Sequence, residues 1–443
     1  MSSPKQLLSV ADGIFLTVGM IIGALIFKAP STVAGATSGT AEFLAAWLLG
    51  GAVSLCGALV YAELASRHPE TGGEYLFLTA GMGRGVAFLF AWSRMTVIQT
   101  GAIAAVAFVF GDYASEILRL GERSSAIWAA IAVAALTLLN IAGTLQSKSL
   151  QKVMEIVLVT SLVLFALAAI AVGGAPQAPP SGGGGSFGFA MIFVLLAYGG
   201  WNEAAYLAGE VRDGRRNMTR ILVTGVLAVT ALYLLVNLGY LAVLGHAGVR
   251  DSKAVAADVM RAVAGEKGAL LLALIVCVSV LTTVNAAIFT GARTTWALGR
   301  DFPVFSRLGA WRESGSTPAN ALWLQGAISL ALVAAGAATP DGFNAMVAYT
   351  SPVFWTFFLL TGSCLFRFRA QDKRKGAMND IVRVPLYPVI PLIFCAMCAY
   401  MLYSSIDYVR NPVFGPKFGD AVLAGLAIMA AGIPLYLLTR RKH

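Results

Sequence analysis

The stretch Leu196–Glu210, LAYGGWNEAAYLAGE, sets two adjacent glycines, an asparagine and a glutamate at the middle of what otherwise reads as a membrane-spanning helix. Glycine weakens a helix by about 1 kcal/mol relative to alanine. Unsatisfied backbone groups in hydrocarbon cost several kcal/mol, so an unwound stretch survives there only where it lines a cavity or meets a ligand. VGMIIGA, Val18–Ala24, interrupts the first apolar run near its midpoint in the same way. Taken alone, either cluster also reads as close helix packing through small residues. Their recurrence five helices apart points instead to paired breaks, one leading each half of an inverted repeat.

The composition sets the class. Of 443 residues, 58% are hydrophobic and 12% charged, and the mean hydropathy is +0.76, so the chain reads as an all-α integral membrane protein. The first 30 residues lack a cleavable signal pattern, and the first apolar run reads as a retained span. Cys56, Cys277, Cys364, Cys395 and Cys398 all fall in apolar stretches, against disulfides or zinc; no cofactor or metal is expected. The net charge of +10 resides in loops, so membrane topology explains it before nucleic acid does, and no nucleic-acid partner is expected.

Spans of about 20 residues can be placed at 9–34, 41–66, 84–112, 125–143, 153–174, 187–209, 219–245, 268–298, 319–338, 343–366, 383–405 and 419–439. With the N-terminus inside, 22 basic residues lie in inside loops against 8 outside, which places both termini in the cytoplasm and the chain in the cytoplasmic (inner) membrane. Ala175–Ser186, APQAPPSGGGGS, is then an outside linker. The reading is one transporter domain over 1–443, with a first repeat at 9–174 (helices one to five), a second, inverted repeat at 187–366 (helices six to ten) and two further helices at 383–439. These last two are expected to serve packing or contact with a second copy, leaving monomer and homodimer both open.

A free amino acid suits paired breaks. Its carboxylate can accept from amides at the positive start of a half-helix while its ammonium donates to carbonyls at a negative end. Gly19, Ile22, Gly23, Ala24 and Leu25 are the expected donors, and Leu196, Ala197, Tyr198, Gly199 and Gly200 the expected acceptors. Neighbouring helices three, eight and ten would supply walls that read the side chain.

Four stretches occur in order at matching helix positions: TVGMIIGALIF (17–27), ALVYAELASRHPETGGEYLFL (58–78), LAYGGWNEAAYLAGEVRDGRRNMTRIL (196–222) and VNAAIFTGARTTWALGRDFP (284–303). Together they resemble the amino-acid/polyamine/organocation superfamily, especially bacterial relatives of the L-type amino acid transporters, over most of the first ten helices. The resemblance implies a five-plus-five inverted repeat of the leucine-transporter type, alternating access, and an amino acid bound between helices one and six, to which the twelve spans and the two broken helices read above conform. It also implies that PETGGEYLF forms a short inside helix beneath the site. Two departures stand out. Where relatives resemble Gly-Ser/Ala-Gly-Ile-Phe, this chain has Gly23-Ala24-Leu25-Ile26-Phe27, which implies a narrower carboxylate site. Where many relatives carry a helix-five lysine, it has Leu158, leaving proton and sodium coupling open.

Ionisable groups in a bilayer cost at least about 2.5–3.5 kcal/mol for the types measured, so each needs a partner or a task. Glu63 and Glu155 lie near cytoplasmic ends, where pairing with Arg67 and Lys152 is expected. Lys28 and Glu203 follow the two breaks, and their charges read as a structural ion pair, as a proton-coupling or gate element, or as substrate contacts. Arg94 reads as a paired structural arginine, or as a selector of anions if it faces a cavity. Trp201 and Tyr198 read as gates or as packing; Asn202 is expected to stabilise the unwound turn. Thr282, Thr283 and Asn285 read as interhelical hydrogen bonding or as a cation site. The three histidines lie in loops or at the terminus, against a membrane-embedded enzyme, and no filter or charge ring suggests a channel. The expected function is secondary transport of neutral L-amino acids, as exchanger or proton symporter, with amine or polyamine transport on the same fold as the alternative.

Overall fold

The structure, a computed structural model, describes residues 9–68, 73–143, 148–174, 186–204, 211–312, 317–375, 381–410 and 416–440. Among the described residues every named element is a helix, apart from isolated bridge positions such as the Arg312–Thr317 pair. In chain order the helices are α1 (Val10–Ile21), α2 (Ala29–Ala36), α3 (Thr40–Arg67), α4 (Gly73–Met82), α5 (Arg84–Ser93), α6 (Gln99–Ile117), α7 (Ser124–Ala142), α8 (Lys148–Val172), α9 (Phe187–Ala197), α10 (Trp201–Ala204), α11 (Gly214–Asp251), α12 (Val255–Asp301), α13 (Ala319–Ala337), α14 (Gly342–Lys375), α15 (Val389–Arg410) and α16 (Pro416–Arg440).

Among the described residues, ten helices are long and apolar enough to cross a membrane. The expected first and fifth spans appear as the shorter apolar helices Val10–Ile21 and Ile156–Val172. The first is short because it stops at its interruption. α1 begins with a capping box, Ser9 Oγ accepting from the Asp12 amide and the Asp12 carboxylate from the Ser9 amide, which satisfies two donors that the helix start leaves open. Two kinks escape hydropathy altogether: Gly245 (φ 65°) and Gly265 (φ 69°) redirect α11 and α12 beyond the apolar runs, so the helices extend to Asp251 and start at Val255.

The chain packs as two compact units, each drawing segments from both halves of the sequence: Met1–Ala87, Pro179–Leu238 and Trp355–Ser404 in the first, Phe88–Ala178, Gly239–Phe354 and Ser405–His443 in the second. Within the first unit, α3 presents small residues to its partners. Gly50 lies against Val194 and Tyr198, and Gly57 against Trp201 and Phe394, so closely that a methyl group at either would displace them. Glu63, fully buried, accepts from Arg67, from Arg369 and from the Val384 amide. Arg67 also reaches Asp372 at 2.7 Å. The expected Glu63–Arg67 pair is thus present within a network of two acids and two arginines. The Lys152 and Glu155 side chains, the linker 175–185 and the Pro69–Gly72 part of PETGGEYLF lie outside what is described.

Within the second unit, polar side chains tie α6, α7 and α13 to about one turn of α12. Asn140 Nδ2 donates to Asn285 Oδ1 at 2.6 Å, Gln99 Nε2 to Ala287 O at 2.9 Å and Gln325 Nε2 to Ile288 O at 3.0 Å. Between α5 and α6, Arg94–Ile98 forms a π-helical turn, and Tyr349 Oη donates to the Thr96 carbonyl at 3.0 Å. Arg94 itself is buried.

Candidate functional site

The two interruptions foreseen from glycine clusters are both present in the first unit. After Ile21 the chain turns extended at Ile22 (ψ 96°) and Gly23 (ψ −168°), then resumes as a short 3-10 turn, Ala24–Phe27, and α2. After Ala197 it turns at Tyr198, Gly199 and Gly200 before α10. Gly200 adopts φ +110°, and a Cβ there would run into the Met20 carbonyl and approach the Ile21 nitrogen at 3.1 Å. The second break therefore rests directly on the end of α1.

One hydroxyl joins them. Tyr233 of α11, fully buried, places Oη 3.0 Å from Ile21 O and 3.1 Å from Ala197 O, the last carbonyls of α1 and α9. Helix ends leave such carbonyls without intrahelical partners, and this phenol satisfies them in turn. Trp47 and Tyr198 pack beside it, at ring centroids 5.7 Å and 5.2 Å away, and Tyr198 Oη donates to Trp47 O at 3.0 Å. Tyr233→Phe removes the single O–H donor that the two buried carbonyls share, a loss of about 1–3 kcal/mol. The expected result is an initial uptake rate about tenfold lower in protein that still elutes as a single species; unchanged uptake would show that the bridge is dispensable.

A second polar chain holds the other side of the turn. Asn202 Oδ1 accepts from the Gly200 amide at 3.2 Å, Asn202 Nδ2 donates to Glu74 Oε1 at 3.3 Å, and Tyr61 Oη donates to the same oxygen at 2.9 Å. Glu74 is buried on α4, the helix anticipated from GGEYLF. Trp201 packs edge-on against Tyr61 at 5.1 Å and against Phe358 at 5.7 Å, and is buried.

The expected donors and acceptors narrow accordingly. Gly19 lies inside α1, where its amide belongs to the helical ladder, and the Ile22 amide donates to Val18 O at 2.8 Å. Gly23, Ala24 and Leu25 stand at the start of the 3-10 turn, and no side chain caps it. Of the acceptors, Leu196 O takes the Gly199 amide and Gly200 O the Ala204 amide, while Ala197 O takes the tyrosine. Gly23, Leu25, Leu196, Gly199 and Gly200 retain partial exposure, whereas Ile22, Ala24, Ala197 and Tyr198 are buried. Lys28, 6% exposed, sits between the 3-10 turn and α2, and Glu203 is half-buried on α10.

Asn285 and Leu158 belong to the second unit. Asn285 is held by Asn140, while Thr282 and Thr283 both donate to Ser279 O, so interhelical and intrahelical bonding is what these groups do here. Leu158 is buried on α8. Among the described residues no cluster of three or more His, Cys, Asp or Glu could hold a metal. Tyr233, Glu74 and Tyr61 escaped the sequence reading. Glu74 alone carried a signal, as an acid inside an apolar run behind paired glycines.

Ten long apolar helices among the described residues, with two opened helix ends braced against each other, define a multi-pass membrane protein. The amino acid permease family model matches residues 8–427, and the chain belongs to that family. It is similar to the b(0,+)-type amino acid transporter 1 of Mus musculus, 27% identical over 91% of this chain and 83% of that protein. It is also similar to the serine/threonine exchanger SteT of Bacillus subtilis (strain 168), 26% identical over 99% and 98%. The large neutral amino acids transporter small subunit 2 of Homo sapiens is 26% identical over 98% and 80%.

Proposed function

We propose that the chain exchanges neutral L-amino acids across the cytoplasmic membrane by alternating access, holding the substrate backbone between its two helix breaks. The observation that carries this reading is the meeting of those breaks: Gly200 against Met20 and Ile21, with Tyr233 bonded to both helix ends. The substrate carboxylate accepts from the amides of Gly23, Ala24 and Leu25. The ammonium donates to the carbonyls of Tyr198 and Gly199, the two outside the bonds given above.

Partial positive charge at a helix start and partial negative charge at a helix end make this polarity favourable for a zwitterion. One relative is named for large neutral amino acids and another for serine/threonine exchange. Twelve spans in a five-plus-five inverted arrangement, with both termini cytoplasmic, complete the proposal.

Purified protein in liposomes loaded with unlabelled substrate tests it, using a panel of labelled amino acids with and without sodium and a pH gradient. Saturable counterflow of neutral amino acids, indifferent to both gradients, is the expected result; failure of every amino acid and amine to exchange removes it.

A proton symporter is the second reading, favoured by the half-buried carboxyl of Glu203 just past the break. Under exchange, Glu203→Gln keeps the wild-type pH profile of uptake. A profile flattened by this substitution would assign the coupled proton to Glu203.

A further inference from the structure

Between Arg293 and Arg312 the sequence RTTWALGRDFPVFSRLGAWR carries four arginines against a single acid, Asp301, with two tryptophans interleaved. All of it lies in the second unit. α12 ends at Asp301, and Pro303–Gly309 follows as a 3-10 helix with no residue fully buried. This segment is nevertheless anchored. Phe302, Phe305 and Leu308 pack on a core of Phe88, Met95 and Leu298, with the Phe88 and Phe302 rings 4.7 Å apart. The backbones at Gly299 and Gly309 approach too closely for a Cβ on either. Asn320 Nδ2 donates to Arg307 O at 2.7 Å, and Arg312 and Thr317 exchange two backbone hydrogen bonds.

The exposed side chains of this segment are basic and aromatic together. Arg300, Arg307 and Arg312 are exposed, as are Val304 at 47% and Trp311 at 39%. The Arg300 guanidinium stands 5.1 Å over the Trp296 ring, and Trp296 meets Trp311 edge-on at 5.2 Å. A guanidinium stacked on a ring keeps its in-plane N–H groups for an oxyanion. Tryptophan favours the headgroup level of a bilayer, and basic side chains there are drawn to anionic lipid. Loop topology accounts for a surplus of positive charge. It does not call for arginines fixed in a folded turn and alternating with indoles.

We propose that this surface is a seat for an anionic phospholipid, the phosphodiester held by Arg300, Arg307 and Arg312 and the upper acyl chain lying on Val304 and Trp311. The exposed apolar side chains beside the charges distinguish a lipid from a free anion, which would use the charges alone. The inference is independent of the transported substrate, since it needs only that the protein sits in a membrane.

Native mass spectrometry and thermal unfolding of the detergent-purified full chain test it, with phosphatidylglycerol, phosphatidylcholine and inorganic phosphate as separate additions. Phosphatidylglycerol is expected to remain bound and raise the unfolding midpoint, and the other two to do neither. One arginine near an anionic surface contributes about fivefold in affinity. Arg300→Gln/Arg307→Gln/Arg312→Gln should therefore lose phosphatidylglycerol by about a hundredfold, while Arg119→Gln/Arg123→Gln, which alters exposed arginines elsewhere, binds as wild type. Should the triple variant fail to fold, Arg307→Gln alone decides through its about fivefold loss. Equal binding of the two lipids, an unchanged triple variant, or the same stabilisation by inorganic phosphate would each overturn the proposal.

Discussion

Gly200→Ala is expected to slow transport severely while leaving the protein insertable. At φ +110° any side chain strains the backbone, by about 1–3 kcal/mol for such sparsely populated regions. The added methyl would also have to displace the Met20 carbonyl, which is main chain and cannot rotate away. Separating the two breaks undoes the geometry on which the proposed substrate cradle depends. With each 1.36 kcal/mol worth tenfold in rate, initial uptake should fall by about a hundredfold. Gly265→Ala provides the control: Gly265 also has positive φ, at 69°, but its Cβ would meet nothing within 4 Å. That variant bears the dihedral cost without the collision, and should retain most of its uptake. If Gly200→Ala transports as well as Gly265→Ala, contact between the breaks is not needed for function.

Glu63→Ala is expected to be the most destabilising single change in the first unit. The carboxylate is 0% exposed and receives Arg67 Nη2 at 2.7 Å, Arg369 Nη2 at 2.6 Å and the Val384 amide at 2.8 Å. Removing one partner of a buried ion pair costs about 3–5 kcal/mol, chiefly because the other charge stays buried without compensation. Here two arginines would be affected at once, and the Val384 amide would lose its acceptor, so α3 loses its ties to Arg369 and to the segment before α15 and keeps only Arg67–Asp372 to α14. Asp372→Asn touches the same network at a site whose side chain is 14% exposed and leaves Glu63 on both arginines. Its thermal midpoint in detergent should fall much less than that of Glu63→Ala. Equal midpoints for both variants would show that water, not Glu63, compensates the arginines.

The fold was largely legible because hydropathy is a local property. The expected span at 125–143 lies one residue from Ser124–Ala142, and that at 319–338 one residue from Ala319–Ala337. The helix breaks were legible for a related reason: glycine pairs within an apolar run have few structural uses, and Gly199–Gly200 and Gly23 sit where the chain opens. What braces the breaks was not legible. Tyr233 is one tyrosine in an apolar helix, and its meaning arises only when α11 brings it within 3.1 Å of two carbonyls more than thirty and two hundred residues away. The π-helical turn at Arg94 and the kinks at Gly245 and Gly265 are backbone departures that hydropathy does not encode. The charged residues divide in the same way. Glu63 found its arginine four positions along the same helix face, as i, i+4 spacing allows, while Arg369, some three hundred residues on, could not be foreseen.

The central claim is that backbone groups at the two breaks hold both ends of a free amino acid. Counterflow into liposomes of a labelled neutral amino acid, set beside its decarboxylated amine and its N-acetyl derivative, tests this most directly. A carboxylate seated on the Gly23–Leu25 amides and an ammonium on the Tyr198 and Gly199 carbonyls predict exchange of the intact amino acid alone. Exchange of the amine at the amino acid's rate would contradict the account and place amines among the transported substrates.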